Sequence, residues 1–84
     1  MKSNERLNRR YVFVNNNIDL ILKLDKHKNW HEFAKHPAIS IISEKARKYI
    51  GYSCKTYDAD ICWTLYRLAK ELHQENIKYQ LLNI

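Results

Sequence analysis

From position 61 onward the chain places Ile61, Leu65, Leu68 and Leu72 at steps of four, three and four. An α-helix gathers side chains so spaced into one stripe, whereas a strand would divide them between its two faces. Asp58 and Asp60 stand just before the stripe, where carboxylates offset the positive end of a helix, so one of them opens it. Trp63 and Tyr66 run alongside. Asn76 is the expected end, and residues 77–84 read as a closing strand or as a helical continuation. A chain of 84 residues built around this helix makes one domain, and so short a domain gains from a partner interface.

The N-terminal third is open to two readings. Tyr11-Val12-Phe13-Val14 is a β-branched and aromatic run with strand character. Asn15, Asn16 and Asn17 follow, and asparagine suits tight turns. In residues 18–25, strict alternation sets Ile18, Leu20, Leu22 and Leu24 on one face, as in the second strand of a hairpin. A helix capped by Asn17 would gather Leu20, Ile21 and Leu24 instead. The alternation favours the hairpin. Downstream, Asn29 and Glu32 have capping-box spacing and open a short helix that ends before Pro37. Pro37 begins another, with Ile39, Ile42, Ala46 and Tyr49 as its buried stripe and Gly51 as its stop. The sequence therefore predicts an α+β fold: an N-terminal β-hairpin, about three helices and a possible C-terminal strand. A small all-α bundle is the alternative. Residues 1–9 read as a basic flexible arm and residues 10–84 as a single small globular domain.

Charge is divided unevenly along this chain. Residues 1–50 hold eleven Lys and Arg against five Asp and Glu, and residues 51–84 hold four of each, so the net +6 lies wholly in the first part. A one-sided excess of cations attracts polyanions, nucleic acid first among them. The expected phosphate contacts are Arg6, Arg9 and Arg10 at the start, Lys26 and Lys28 beyond the first turns, and Lys45, Arg47 and Lys48 on the helix after Pro37. Tyr11, Phe13, Trp30, Tyr49 and Tyr52 are interleaved with them, the mixture of rings and cations that single-stranded nucleic acid sites use. The neutral C-terminal part offers Trp63, Tyr66, Lys70 and Tyr79 as an interface for a protein partner or for a second copy in a homodimer.

Catalytic and metal patterns are sparse. A single glycine excludes a glycine-rich phosphate cradle. His27, His31 and His36 fall within ten residues, but no His-Glu-x-x-His or Cys-x-x-Cys spacing is present, so neither metal nor cofactor is expected. Cys54 and Cys62 read as small buried hydrophobes of a reducing compartment. The run Arg67-Leu68-Ala69-Lys70-Glu71-Leu72-His73 resembles the Arg-x(4–6)-His motif of the HEPN ribonucleases, over seven of the 84 residues. That resemblance would imply RNA cleavage by Arg67 and His73 across a helical dimer. The family's arginine is often followed by a polar residue where Leu68 stands here, and the pair lies about 240° apart around one helix. Read from the residues alone, Arg67 pairs with Glu71 one turn on.

No signal-peptide core follows the opening residues and no apolar run of roughly eighteen residues occurs, so the chain reads as cytoplasmic, without a membrane partner. The expected function is non-catalytic binding of RNA or DNA through the basic half and of a protein through the last helix. A regulator or inhibitor fits, including a phage accessory or anti-defence factor, since Asn, Lys and Ile abound as AT-rich coding favours. The alternatives are an immunity- or antitoxin-like module that neutralises an acidic protein, and an HEPN-like ribonuclease.

Overall fold

The computed structural model describes residues 2–82, and side chains from Leu7 to Ile77. Its helices are α1 (Lys2–Asn16), α2 (Ile18–Leu22), α3 (Trp30–Ala34), α4 (Ala38–Ile50) and α5 (Asp58–Leu82), with a 3-10 turn, Lys23–Asp25, continuing α2. No strand occurs among the described residues. The α+β class and its N-terminal hairpin are thereby overturned, and the all-α alternative is the arrangement found.

At the centre α4 packs against α5. The first turns of α5 hold both ends of α4: Cys62 Sγ donates to the Ile39 carbonyl (3.4 Å), and Arg47 meets Asp58 (2.8 Å). α1 and α2 lie across both helices. Ile42 and Ala46 of α4 meet Ile61, Cys62 and Leu65 of α5 in the core, which Val14, Ile21, Leu24 and Phe33 close. The molecule is a thin slab, with extents of 46, 38 and 16 Å. Few side chains can be enclosed on every side of so thin a body, and much of each helix keeps an outer face.

Burial explains why the first third is helical. Phe13 and Val14 are neighbours in sequence and both are buried, with Arg10 and Asn17 half-buried on the same side. Positions 10, 13, 14 and 17 form a helical stripe, whereas a strand would have sent Phe13 and Val14 to opposite faces. Ile21 and Leu24 are fully enclosed while Leu20 and Leu22 are half-buried, so the alternation in this segment does not govern its burial. The strand preference of the β-branched run yields to packing. Asn17 closes α1 instead of turning a hairpin. Its backbone N–H (3.0 Å) and its side-chain Nδ2 (2.8 Å) both donate to the Phe13 carbonyl, at an ordinary φ of −126°. Residues 2–9, read as an arm, are the opening turns of α1.

The later elements follow their local signals more closely. Asn29 Oδ1 accepts from the Glu32 N–H (2.9 Å), and the Glu32 carboxylate reaches back to the Lys28 N–H (3.0 Å), one residue short of a full capping box. Pro37 leads into α4, whose first N–H, at Ala38, donates to His36 Nδ1 (3.1 Å). Gly51 ends α4 in the left-handed region, at φ 86° and ψ 44°. The buried stripe of α4 continues through Ile50, and Tyr49 stands at the surface. α5 opens at Asp58 and runs past Asn76 to Leu82, so the possible strand over 77–84 is helix as far as 82.

Candidate nucleic-acid interface

The cations expected to meet phosphate fall into distinct environments. Arg9, Lys26, Lys28 and Lys45 are exposed and form no ion pair among the described residues. Lys48 faces Glu44 at 3.6 Å, an open i,i+4 pair of little energetic weight that leaves the ammonium accessible. Arg47 is committed to the fold: Nη1 donates to the Ser53 carbonyl (2.9 Å), and Nη2 to the Thr56 carbonyl and to Asp58 (2.8 Å). It clamps the loop between α4 and α5. Arg10 is half-buried, with its guanidinium 5.6 Å from the centroid of the Tyr52 ring. The Arg6 side chain lies outside the described residues.

Two surfaces combine free cations with rings. On the first, Phe13 of α1 lies against Tyr49 of α4, with ring centroids 6.2 Å apart. Helical spacing puts Arg9 one turn before Phe13 and Lys45 one turn before Tyr49, with Lys48 beside it. Arg9, Lys45, Lys48 and the exposed Tyr49 ring therefore share the outer α1–α4 face.

The second surface is built on α3. Trp30 is its first residue, placed by the Asn29 cap, and Phe33 one turn later is its buried anchor. Trp30 is 50% exposed and stacks on Phe33 at 5.6 Å and 22°. Trp63 of α5 meets both rings edge-on, at 5.8 and 5.2 Å. His27 packs edge-on against Phe33 at 5.0 Å, with its Nδ1–H donating to the Leu24 carbonyl (2.6 Å). The indole of Trp30 is thus supported by two rings, Phe33 and Trp63, with His27 packed against both of them, and Lys26 and Lys28 occupy the segment leading to it.

Of the residues expected at a protein interface, Tyr66 is buried and Trp63 half-buried within this ring cluster. The Tyr66 hydroxyl and Lys70 Nζ (3.1 Å) both donate to Asp25 Oδ1. Those two bonds, Tyr66's first, hold the Asp25 carboxyl below its ordinary range. Burial, and then the carboxylate, push the Tyr66 phenol up to about 12. The network fastens α5 to the turn after α2. Sequence reasoning missed Asp25, and no local pattern could have shown it, because its partners lie 41 and 45 positions away. The Tyr79 side chain lies outside the described residues.

Arg67 and His73 are both exposed on α5 and are not brought together: Arg67 lines a groove with Arg10 that does not include His73. The expected Arg67–Glu71 ion pair is absent among the described residues. Cys62 is buried, with its thiol pushed up to about 12 by desolvation and then by Asp58, whereas Cys54 is exposed, against the expectation of two buried thiols. Among the described residues no group of His, Cys, Asp and Glu is arranged to hold a metal ion, and no helix is long and apolar enough to cross a membrane. No family model, curated protein or solved structure matches this chain.

Proposed function

We propose that the protein binds single-stranded RNA or DNA without cleaving it, with a base stacked on Trp30 and phosphates held by Lys26 and Lys28. The observation that carries this reading is the half-exposed Trp30 ring, fixed from beneath by Phe33 and Trp63 and preceded in the chain by exposed Lys26 and Lys28, which form no ion pair among the described residues. A ring held in place before binding loses little freedom when a base stacks on it, and stacking accepts any base. Arg9, Lys45, Lys48 and Tyr49 extend the cationic footprint along the α1–α4 face. A regulator or inhibitor of a nucleic-acid-handling system would use such a surface to occupy a strand. With Tyr66 inside the ring cluster, a protein partner on α5 would meet the outer face that carries Arg67 and Glu71.

Fluorescence anisotropy of labelled single-stranded RNA and DNA across a salt series tests the proposal. The logarithm of the binding constant should fall linearly with the logarithm of salt, by about 0.7 for each phosphate neutralised. Trp30→Ala should weaken binding by about 1–3 kcal/mol while leaving that slope unchanged. Lys26→Ala with Lys28→Ala should make the slope shallower. Failure of every oligomer to bind at low ionic strength would overturn the proposal and leave the protein-binding module as the better reading.

A further inference from the structure

A groove of about 200 Å³ opens between α1 and α5, lined by Leu7, Arg10, Thr64, Arg67, Leu68 and Glu71. Two guanidinium groups on one groove repel each other unless an anion lies between them. Arg10 is held there by the Tyr52 ring, and its Nε is shielded from solvent with no hydrogen-bond partner among the described residues. An N–H of a charged group left in that state is costly, and since Nε is shielded, an oxyanion in the groove would meet the terminal N–H groups of the guanidinium and offset its charge there. Arg67 sits one turn before Glu71 in the same groove, yet the two form no ion pair, so its planar fork has no acidic partner among the described residues. The Thr64 hydroxyl donates to the Asp60 carbonyl (3.1 Å), which leaves the two arginines as the groove's side-chain donors.

From this arrangement we infer that the α1–α5 groove is a phosphoryl-binding site, in which Arg10 and Arg67 clasp the oxygens of one phosphate. Guanidinium forks match phosphate geometry and can bind it through paired N–H donors. Charge refines the ligand class. Arg10, Arg67 and Glu71 sum to +1, which a singly charged phosphodiester neutralises and a doubly charged phosphate monoester exceeds. Leu7 and Leu68 supply an apolar flank for the carbon-bearing group attached to the phosphate. This site stands on the α1–α5 geometry and does not depend on stacking at Trp30.

The arginine Nε–Hε resonances of the ¹⁵N-labelled protein provide the test, titrated in one arm with inorganic phosphate and in the other with a short oligothymidylate. The Arg10 and Arg67 resonances should move saturably, with the oligonucleotide binding at the lower concentration. Arg67→Ala should weaken the response to either ligand about tenfold or more, and an unchanged far-UV circular dichroism spectrum would show that the variant is folded. Arg10→Lys, which keeps the charge and loses the fork, should weaken it as well. A response to inorganic phosphate alone supports the site and identifies a small phosphate as its ligand; a response to the oligonucleotide alone supports it and identifies a strand diester. The inference is overturned if neither resonance moves in either arm, or if folded Arg67→Ala binds as the parent does. Trp30→Ala, by contrast, should leave the phosphate arm untouched, so this site and the stacking surface can fail separately.

Discussion

Truncation of Ile21 separates the helical α2 from the hairpin strand that its sequence suggests. In a strand that turns Ile18, Leu20, Leu22 and Leu24 inward, Ile21 faces solvent and its loss is nearly silent, within about 0.5 kcal/mol. In the structure Ile21 is fully enclosed. Ile21→Ala removes three carbons from that site, worth about 2.4 kcal/mol at about 0.8 kcal/mol each. The cavity left behind raises the total to about 3–4 kcal/mol, inside the range of about 2–5 kcal/mol for such truncations. An 84-residue domain has roughly 4–13 kcal/mol in all, so the variant remains foldable only if the parent lies well inside that range. Urea titration followed by far-UV circular dichroism measures the change. With a slope of about 1 kcal/mol/M, a loss of about 3 kcal/mol lowers the midpoint by about 3 M. Ile21→Val, expected to cost about 1 kcal/mol, serves if the alanine variant is unfolded. Leu20→Ala, at a half-buried position, should cost less than Ile21→Ala. The reverse order, with Ile21→Ala indistinguishable from the parent, would refute the helical assignment.

Three further perturbations test other parts of the structure. Arg47→Lys keeps the charge but cannot span the Ser53 and Thr56 carbonyls and Asp58 together; about 2 kcal/mol should be lost, lowering the melting temperature by about 8–16 °C, and an unchanged melting curve would contradict the clamp. Gly51→Ala places a Cβ in open space but at φ 86°, so equilibrium unfolding should show a loss of about 1–2 kcal/mol from left-handed strain alone. A thiol reagent applied to the native protein at neutral pH should modify exposed Cys54, with buried Cys62 reacting only after denaturation, as peptide mass mapping would show.

The parts of the fold visible in the sequence are those whose signals are local and periodic. Ile61 and Leu65 announce α5 because their spacing survives in the core. Leu68 and Leu72 lie toward its edge and Ala69 takes the buried place, since a small residue lets the neighbouring helix approach. The Asn29 cap, Pro37 and Gly51 act within a few residues and are equally visible. α1 and α2 are not, because Phe13, Val14, Ile21 and Leu24 belong to short apolar runs in which several periods fit. Asn17 adds to the ambiguity, since one residue type ends helices and turns hairpins. The site divides the same way. Trp30 with Lys26 and Lys28 forms a local constellation of ring and cations. Arg47 looks like any other surface cation until the loop folds back over it. The Arg10–Arg67 groove and the bonds from Tyr66 and Lys70 to Asp25 join distant segments, and only the fold creates them.

The Asp25–Tyr66 bond should be visible in how stability varies with pH. Asp25 is held below its ordinary value of 3.8, chiefly by the Tyr66 hydroxyl and then by Lys70. A depressed carboxyl contributes stability fully above its unfolded value and loses it as pH falls through the folded one, so this contribution fades below pH 3.8. Tyr66 moves the other way, from 10.0 to about 12, and its contribution is complete below pH 10.0 and lost as pH approaches 12. Burial is the larger cause of that rise and the Asp25 carboxylate the second, so only part of it belongs to the bond, and the 49% exposure of the Asp25 side chain lets solvent weaken that part further. Tyr66→Phe keeps the ring among Phe33, Trp63 and His27 while deleting the bond, so its urea midpoints should flatten against pH at both extremes. Cys62 adds an alkaline loss of its own, beginning near 9.0, which Cys62→Ala removes without touching the acid side. Parallel profiles for the parent and Tyr66→Phe at both ends would mean that the carboxylate stabilises the turn after α2 without the phenol, and that the ring cluster beneath Trp30 is held by packing alone.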